Sequence, residues 1–133
     1  MRFLVNTTVF VYFSQVRPDF LGRMGVNTIR EVAGELSHLI GESESNEMLA
    51  GVEVVKSQRL GKELEKSRWL SETDDALLAT AKFLGAELVS DDKKLLAAAR
   101  KNSCRCTHTP GFIEALAQKI EKEEALEILE KLK

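Results

Sequence analysis

Acidic side chains recur along this chain at places where several could meet. Asp91-Asp92 closes the apolar run Ala86-Glu87-Leu88-Val89-Ser90, Asp74-Asp75 opens a helical stretch, and Glu31 and Glu35 stand one turn apart on another. A short N-terminal apolar run, Phe3-Leu4-Val5, ends in Asn6, an amide where one more acid would complete the set. Carboxylates gathered in one place repel one another, and a divalent cation relieves that repulsion. Hard oxygen donors select Mg²⁺ or Mn²⁺, and such ions serve phosphodiester hydrolysis by activating water and stabilising the leaving oxygen. The oxygen of Asn6 can coordinate a cation but carries no charge, so the expected chemistry is a weakened version of that reaction.

Each acid also has a plainer reading. Asp74 lies three residues after Ser71 and suits a helix cap favoured by the helix dipole. Asp91-Asp92 suits the N-cap of a helix starting at Lys93. Glu31 follows Thr28 at capping-box spacing, and Glu35 fits a solvated helix face. Joint placement carries the chemical reading, because open α/β sheets bind ligands beyond the carboxyl ends of their strands.

Other chemistries lack their motifs. His38 and His108 are the only histidines, which excludes a multi-histidine metal site. There is no G-x-S-x-G elbow, no G-x-x-x-x-G-K-[ST] loop and no G-x-G-x-x-G. Cys104 and Cys106 are the only cysteines; on a strand they point to opposite faces, so neither a disulfide nor a zinc set is expected. A reducing cytoplasm is the expected setting.

The elements that must position the acids alternate. Strands are expected at Arg2–Val5, Gly51–Lys56, Leu88–Ser90 and Cys104–Thr107, separated by helices. Val9–Ser14 fits either a helix or an extension of the first strand, because periodicity does not decide. Arg17–Gly25 reads as a connection and Gly41–Glu47 as a polar loop. Helices are expected from a Thr28 cap through Ile40, over Leu60–Leu70, from a Ser71 cap to Leu84 with Gly85 as terminator, over Lys93–Lys101, from Pro110 to about Lys119, and over Lys122–Lys133 with Ala125, Leu126, Leu129 and Leu132 on one side. That face is read as core in preference to an interface. The alternation predicts an α/β fold with a parallel sheet covered on both faces.

The bulk numbers fit one domain spanning 1–133: 133 residues, 44% apolar and 30% charged. The formal net charge of −2 argues against a broadly basic nucleic-acid binder but is compatible with a local basic patch. Arg23, Arg30, Lys56 and Arg68 are the candidates for contacting RNA phosphates, with a solvated surface role as the plainer reading. No apolar run approaches the roughly 20 residues of a membrane span, and Met1-Arg2 runs directly into a strand with no leader pattern.

Four segments in order carry a family resemblance: Phe3-Leu4-Val5-Asn6-Thr7-Thr8-Val9-Phe10, Leu70-Ser71-Glu72-Thr73-Asp74-Asp75-Ala76-Leu77-Leu78-Ala79-Thr80-Ala81, Leu88-Val89-Ser90-Asp91-Asp92-Lys93-Lys94-Leu95, and Thr109-Pro110-Gly111-Phe112-Ile113. Over nearly its whole length the chain resembles a PIN-domain ribonuclease, in particular the VapC-type toxins. The resemblance implies a three-layer α/β/α fold with a central, mostly parallel sheet of about four to five strands. It implies an Mg²⁺- or Mn²⁺-dependent endoribonuclease acting on RNA, a protein antitoxin as partner and a homodimer. Residue by residue, it puts Asn6 in the place of the first catalytic Asp, Glu35 in that of the second acid, Asp74 (with Asp75 as alternate) in the third, and Asp92 in the last with Asp91 beside it. Thr8 matches a nearby hydroxyl that orients the site. Asn6 is the departure: Asp-to-Asn is the minimal isosteric change that silences such a site, whether introduced or natural. Two rival readings remain, an RNA-maturation endonuclease and a non-catalytic PIN-fold binding module.

Overall fold

The structure is a computed structural model and describes residues 2–59 and 70–132. Its strands are β1 (Phe3–Val5), β2 (Asn27–Ile29), β3 (Glu53–Val55), β4 (Glu87–Val89) and β5 (Cys106–Thr107). They form one five-stranded sheet in the order β3-β2-β1-β4-β5, and every pairing is parallel. The helices are α1 (Thr7–Val16), α2 (Phe20–Met24), α3 (Arg30–Ile40), α4 (Glu42–Leu49), α5 (Glu72–Leu84), α6 (Lys93–Lys101), α7 (Thr109–Ala115) and α8 (Lys122–Lys131).

Right-handed crossovers place helices on both faces of such a sheet. The chain moves from β1 to β3 in one direction and from β4 to β5 in the other, so α1–α4 and α5–α6 fall on opposite faces. α7 and α8 join the α1–α2 side: Phe112 packs edge-on against Phe3 and Phe20, Phe20 stacks on Phe13, and the Tyr12 hydroxyl donates to the Ile128 carbonyl at 2.6 Å. The three-layer α/β/α architecture is as expected. The core is continuous across both faces, from Leu4, Phe10, Phe13 and Phe20 to Leu77, Leu88, Leu95 and Phe112.

Several local expectations change. The Arg17–Gly25 connection holds a short helix, α2, and is followed by β2, which the sequence does not announce. Thr28 lies inside β2 and is not an N-cap; its buried hydroxyl donates to the Val5 carbonyl at 2.8 Å, and α3 begins after Ile29 without a side-chain cap. Two polar residues in three make β2 look like a turn, but Thr28 bonds the neighbouring strand and Asn27 reaches Glu53 on β3. Gly41–Glu47 is mostly helix, α4, which buries Ser45 and Met48. Val9–Ser14 resolves as helix because Asn6 caps it. α7 stops at Ala115, short of Lys119. In α8 the core residue is Ile128, fully buried, whereas Leu126 is exposed; Ala125 and Leu129 pack against the core beside it. The helix expected over Leu60–Leu70 falls almost wholly outside the described residues. Cys104 and Cys106 are both free thiols. No helix among the described residues is long and apolar enough to cross a membrane.

Candidate active site

The strand order reverses between β1 and β4, which is where open α/β sheets open a crevice at their carboxyl ends. Val5 and Val89 are register partners, so the next residue on each strand, Asn6 and Ser90, also meet. The Asn6 amide nitrogen donates to Ser90 Oγ at 2.8 Å, and both side chains are buried. Asn6 Oδ1 accepts from the Val9 backbone N–H at 3.3 Å and from the Thr8 hydroxyl at 3.1 Å, making Asn6 the N-cap of α1. Ser90 Oγ also accepts from the Asp92 backbone N–H at 3.0 Å.

The acids arrive from three directions. Ser71 caps α5 by accepting the Asp74 N–H at 3.1 Å, which sets Asp74 in the first turn. Asp92 caps α6, its Oδ1 accepting the Lys94 N–H at 2.9 Å. Glu35 projects from α3 and accepts the Thr7 hydroxyl at 2.7 Å. The capping readings of Ser71 and Asp92 are therefore structurally real. Burial first, and then the charges of Asp92 and Glu35, push the Asp74 carboxyl up to about 6; Ser71 opposes this with its hydrogen bond, and Asp75 adds to it. Burial is the larger cause, and the neighbouring carboxylates act in the same direction.

The remaining candidates separate from this group. Both oxygens of Asp91 are engaged by Thr109, Oδ1 by its backbone N–H at 2.7 Å and Oδ2 by its hydroxyl at 2.6 Å. Asp91 thus anchors the start of α7, while Asp92 caps α6 and its charge acts on Asp74. Asp75 is buried one residue further along α5. It lines a neighbouring cleft with Glu31, Ser57, Gln58, Arg59 and Glu72, so Glu31 belongs to that cleft and Glu35 to the acid group. The Thr8 hydroxyl donates to Asn6 Oδ1. Arg23 is committed to Asp19 and to Glu124, each under 3 Å, which removes it as a free phosphate contact. Arg30 and Lys56 are exposed; Arg68 lies outside the described residues. Two hydroxyls that sequence reasoning missed, Thr7 and Ser90, contact the site directly. The available signal was their position beside Asn6 and before Asp91-Asp92.

The fold has a solved counterpart. The chain is similar in structure to "Crystal structure of PAE2754 from Pyrobaculum aerophilum", at 16% identity and a TM-score of 0.69, over 89% of this chain and 98% of that one. A likeness at that identity concerns the fold alone. No family model matches the chain, and no curated protein does.

By donor chemistry the acid group suits a hard divalent cation. Glu35, Asp74 and Asp92 supply oxygens and negative charge, and among the described residues the ion pairs all lie elsewhere. Among the same residues no three acidic, histidine or cysteine side chains stand at ligating distance. Glu35 is on an exposed helix face, with one oxygen held by the Thr7 hydroxyl.

Proposed function

We propose that the protein is built on the plan of an Mg²⁺- or Mn²⁺-dependent endoribonuclease, impaired by Asn6, that hydrolyses phosphodiester bonds of RNA. What supports this reading is the placement of Asn6, Ser90 and Asp92 at the switch point, with the charges of Asp92 and Glu35 adding to the burial that raises the Asp74 carboxyl. Glu35, Asp74 and Asp92 would hold the cation. When bound, it supplies Lewis-acid activation of water and neutralises charge on the leaving oxygen. Asn6 contributes no charge, and its oxygen already accepts two hydrogen bonds, so it adds little to cation affinity. Arg30 and Lys56 are the described candidates for phosphate contacts. In the reading as a VapC-type toxin, the partner is an antitoxin protein and the assembly a homodimer.

The internal engagement of both polar atoms of Asn6 favours a second reading, a binding module on the same fold whose site no longer turns over RNA. Calorimetric titration with Mn²⁺ of this chain and of Asn6→Asp, followed by cleavage of single-stranded RNA by both, separates the two. The nuclease reading expects tighter Mn²⁺ binding and cleavage in the Asp form. Absence of binding and cleavage in both forms overturns it in favour of the binding module.

A further inference from the structure

We propose that the amino edge of the sheet at β4 and β5, where Arg2, Lys82, Arg100 and Arg105 gather beside Phe83, is a docking surface for single-stranded RNA, separate from the acids at the carboxyl edge. It depends on neither metal nor catalysis. Because every strand pairing is parallel, the amino ends of the strands share one edge. Arg2 precedes β1 and Arg105 precedes β5. They flank the start of β4, whose Glu87 N–H donates to the Arg2 carbonyl and whose Leu88 N–H donates to the Arg105 carbonyl, both at 2.9 Å. α5 and α6 end at the same edge. Lys82, in the last turn of α5, donates from Nζ to the Ser103 carbonyl at 3.1 Å. The Arg105 guanidinium donates back to the Gly85 carbonyl at 2.7 Å. Arg100 lies in the last turn of α6, and its carbonyl accepts the Ser103 N–H at 3.1 Å.

All four cations are exposed, and none of them forms an ion pair among the described residues. Half-buried Glu87 stands among them at the start of β4, whereas Asp91 and Asp92 follow the far end of that strand and Asp74 lies about 12 Å back along α5. A chain of net charge −2 thus carries a local excess of positive charge. The helix dipole favours cations at helix C-termini, which accounts for Lys82 and Arg100. It accounts neither for Arg2, which is on no helix, nor for Phe83. Phe10, Phe13, Phe20 and Phe112 are fully buried, but Phe83, next to Lys82, is 70% exposed. It is the one aromatic among the large apolar side chains left exposed in the described residues. Cations beside an accessible ring suit a single strand, whose phosphates meet the charges while an unpaired base stacks on the ring.

Fluorescence anisotropy of a labelled single-stranded RNA of about 12 nucleotides, titrated with the full chain in EDTA, tests this without metal or cleavage. The logarithm of the binding constant is expected to fall with the logarithm of salt at a slope of about −3, as for about four neutralised phosphates. Arg2→Ala/Arg100→Ala, which removes two exposed charges and no side-chain hydrogen bond, should weaken binding at least about fivefold and roughly halve the slope. Arg2→Lys/Arg100→Lys keeps the charge and should bind within about twofold of the parent. Phe83→Ala should weaken binding at least about fivefold at unchanged slope. A parent that does not bind the RNA overturns the surface, and so does parental affinity in Arg2→Ala/Arg100→Ala. A loss confined to Arg30→Ala/Lys56→Ala puts the RNA at other cations and overturns it as well. Equal binding of duplex RNA, or parental affinity in Phe83→Ala, overturns the single-strand assignment. Each of these results leaves the nuclease reading to its own Mn²⁺ and cleavage measurements.

Discussion

Asn6 and Ser90 stand 84 positions apart in sequence, yet the amide nitrogen of one donates to the hydroxyl oxygen of the other at 2.8 Å. The same hydroxyl oxygen accepts the Asp92 N–H, and the Asn6 oxygen accepts the Val9 N–H at the start of α1. One amide therefore ties β1, β4 and α1 together at the point where the strand order reverses. The donor at Ser90 is the Asn6 amide; a carboxylate in its place would instead require the Ser90 hydroxyl to donate.

Asn6→Asp accordingly trades stability for charge. A further carboxylate beside Ser90, whose hydroxyl oxygen also accepts the Asp92 N–H, adds repulsion with Asp92 in the absence of a cation. The melting temperature in EDTA at neutral pH is expected to fall by about 2–4 °C, the shift that about 1 kcal/mol produces in a domain of this size. Saturating Mn²⁺ should reverse the loss through preferential binding to the folded state. Scanning calorimetry in EDTA and in Mn²⁺ checks both. Equal melting of the two proteins in EDTA, with no added gain from Mn²⁺ in the Asp form, would contradict the shared site.

Asp74 makes stability depend on pH in a defined direction. Its folded value, about 6, lies above the ordinary 3.8, so the folded state holds the proton more tightly than the unfolded chain. The contribution is fully present below the lower value and is lost as pH rises through the upper one. Asp74→Asn, which has no proton to lose, should flatten the decline in melting temperature between about pH 4 and pH 7 and melt above the parent at neutral pH. A parallel decline in both proteins would show that Asp74 does not carry it.

Asp91 and Asp92, adjacent in sequence, should respond differently to removal. Asp91→Ala leaves the N–H and hydroxyl of fully buried Thr109 without their acceptors. That should lower stability by about 2 kcal/mol while changing Mn²⁺ affinity little. Asp92→Asn keeps an oxygen to cap α6 and should lower Mn²⁺ affinity with a smaller effect on stability. Denaturant unfolding and calorimetry on the pair decide it; the reverse pattern would make Asp91 the ligand.

Within the C-terminal helix, Ile128 should contribute far more to stability than Leu126. Ile128 is fully buried and Leu126 is 55% exposed. Ile128→Ala is expected to cost about 2–4 kcal/mol through lost burial and a cavity. Leu126→Ala should stay within about 0.5 kcal/mol of the parent. Urea unfolding midpoints at unchanged slope would show this, and equal effects would return the helix to a loosely docked tail.

How much was legible differs from element to element, for physical reasons. Local signals are complete in themselves: Ser71 three residues before Asp74, Gly85 after Leu84 and the branched run Leu88-Val89 each act within a few residues. They located α5, β4 and α6, and the acids at their ends were identifiable as candidates. Asn27-Thr28-Ile29 carries no such signal, because what makes it a strand is the Val5 carbonyl on β1 and Glu53 on β3. Spacing alone also left Glu31 and Glu35, Asp74 and Asp75, and Asp91 and Asp92 unresolved. Neighbours in a chain share composition and periodicity, and only the direction each side chain takes in the folded sheet separates them. The sequence by itself determined the alternating α/β class, the helix caps and the pool of acids. The tertiary structure decided the strand order, that Asp91 clasps Thr109 while Asp92 caps α6, and that Thr7 reaches Glu35, because those arrangements depend on elements distant in sequence that nothing short-range brings together.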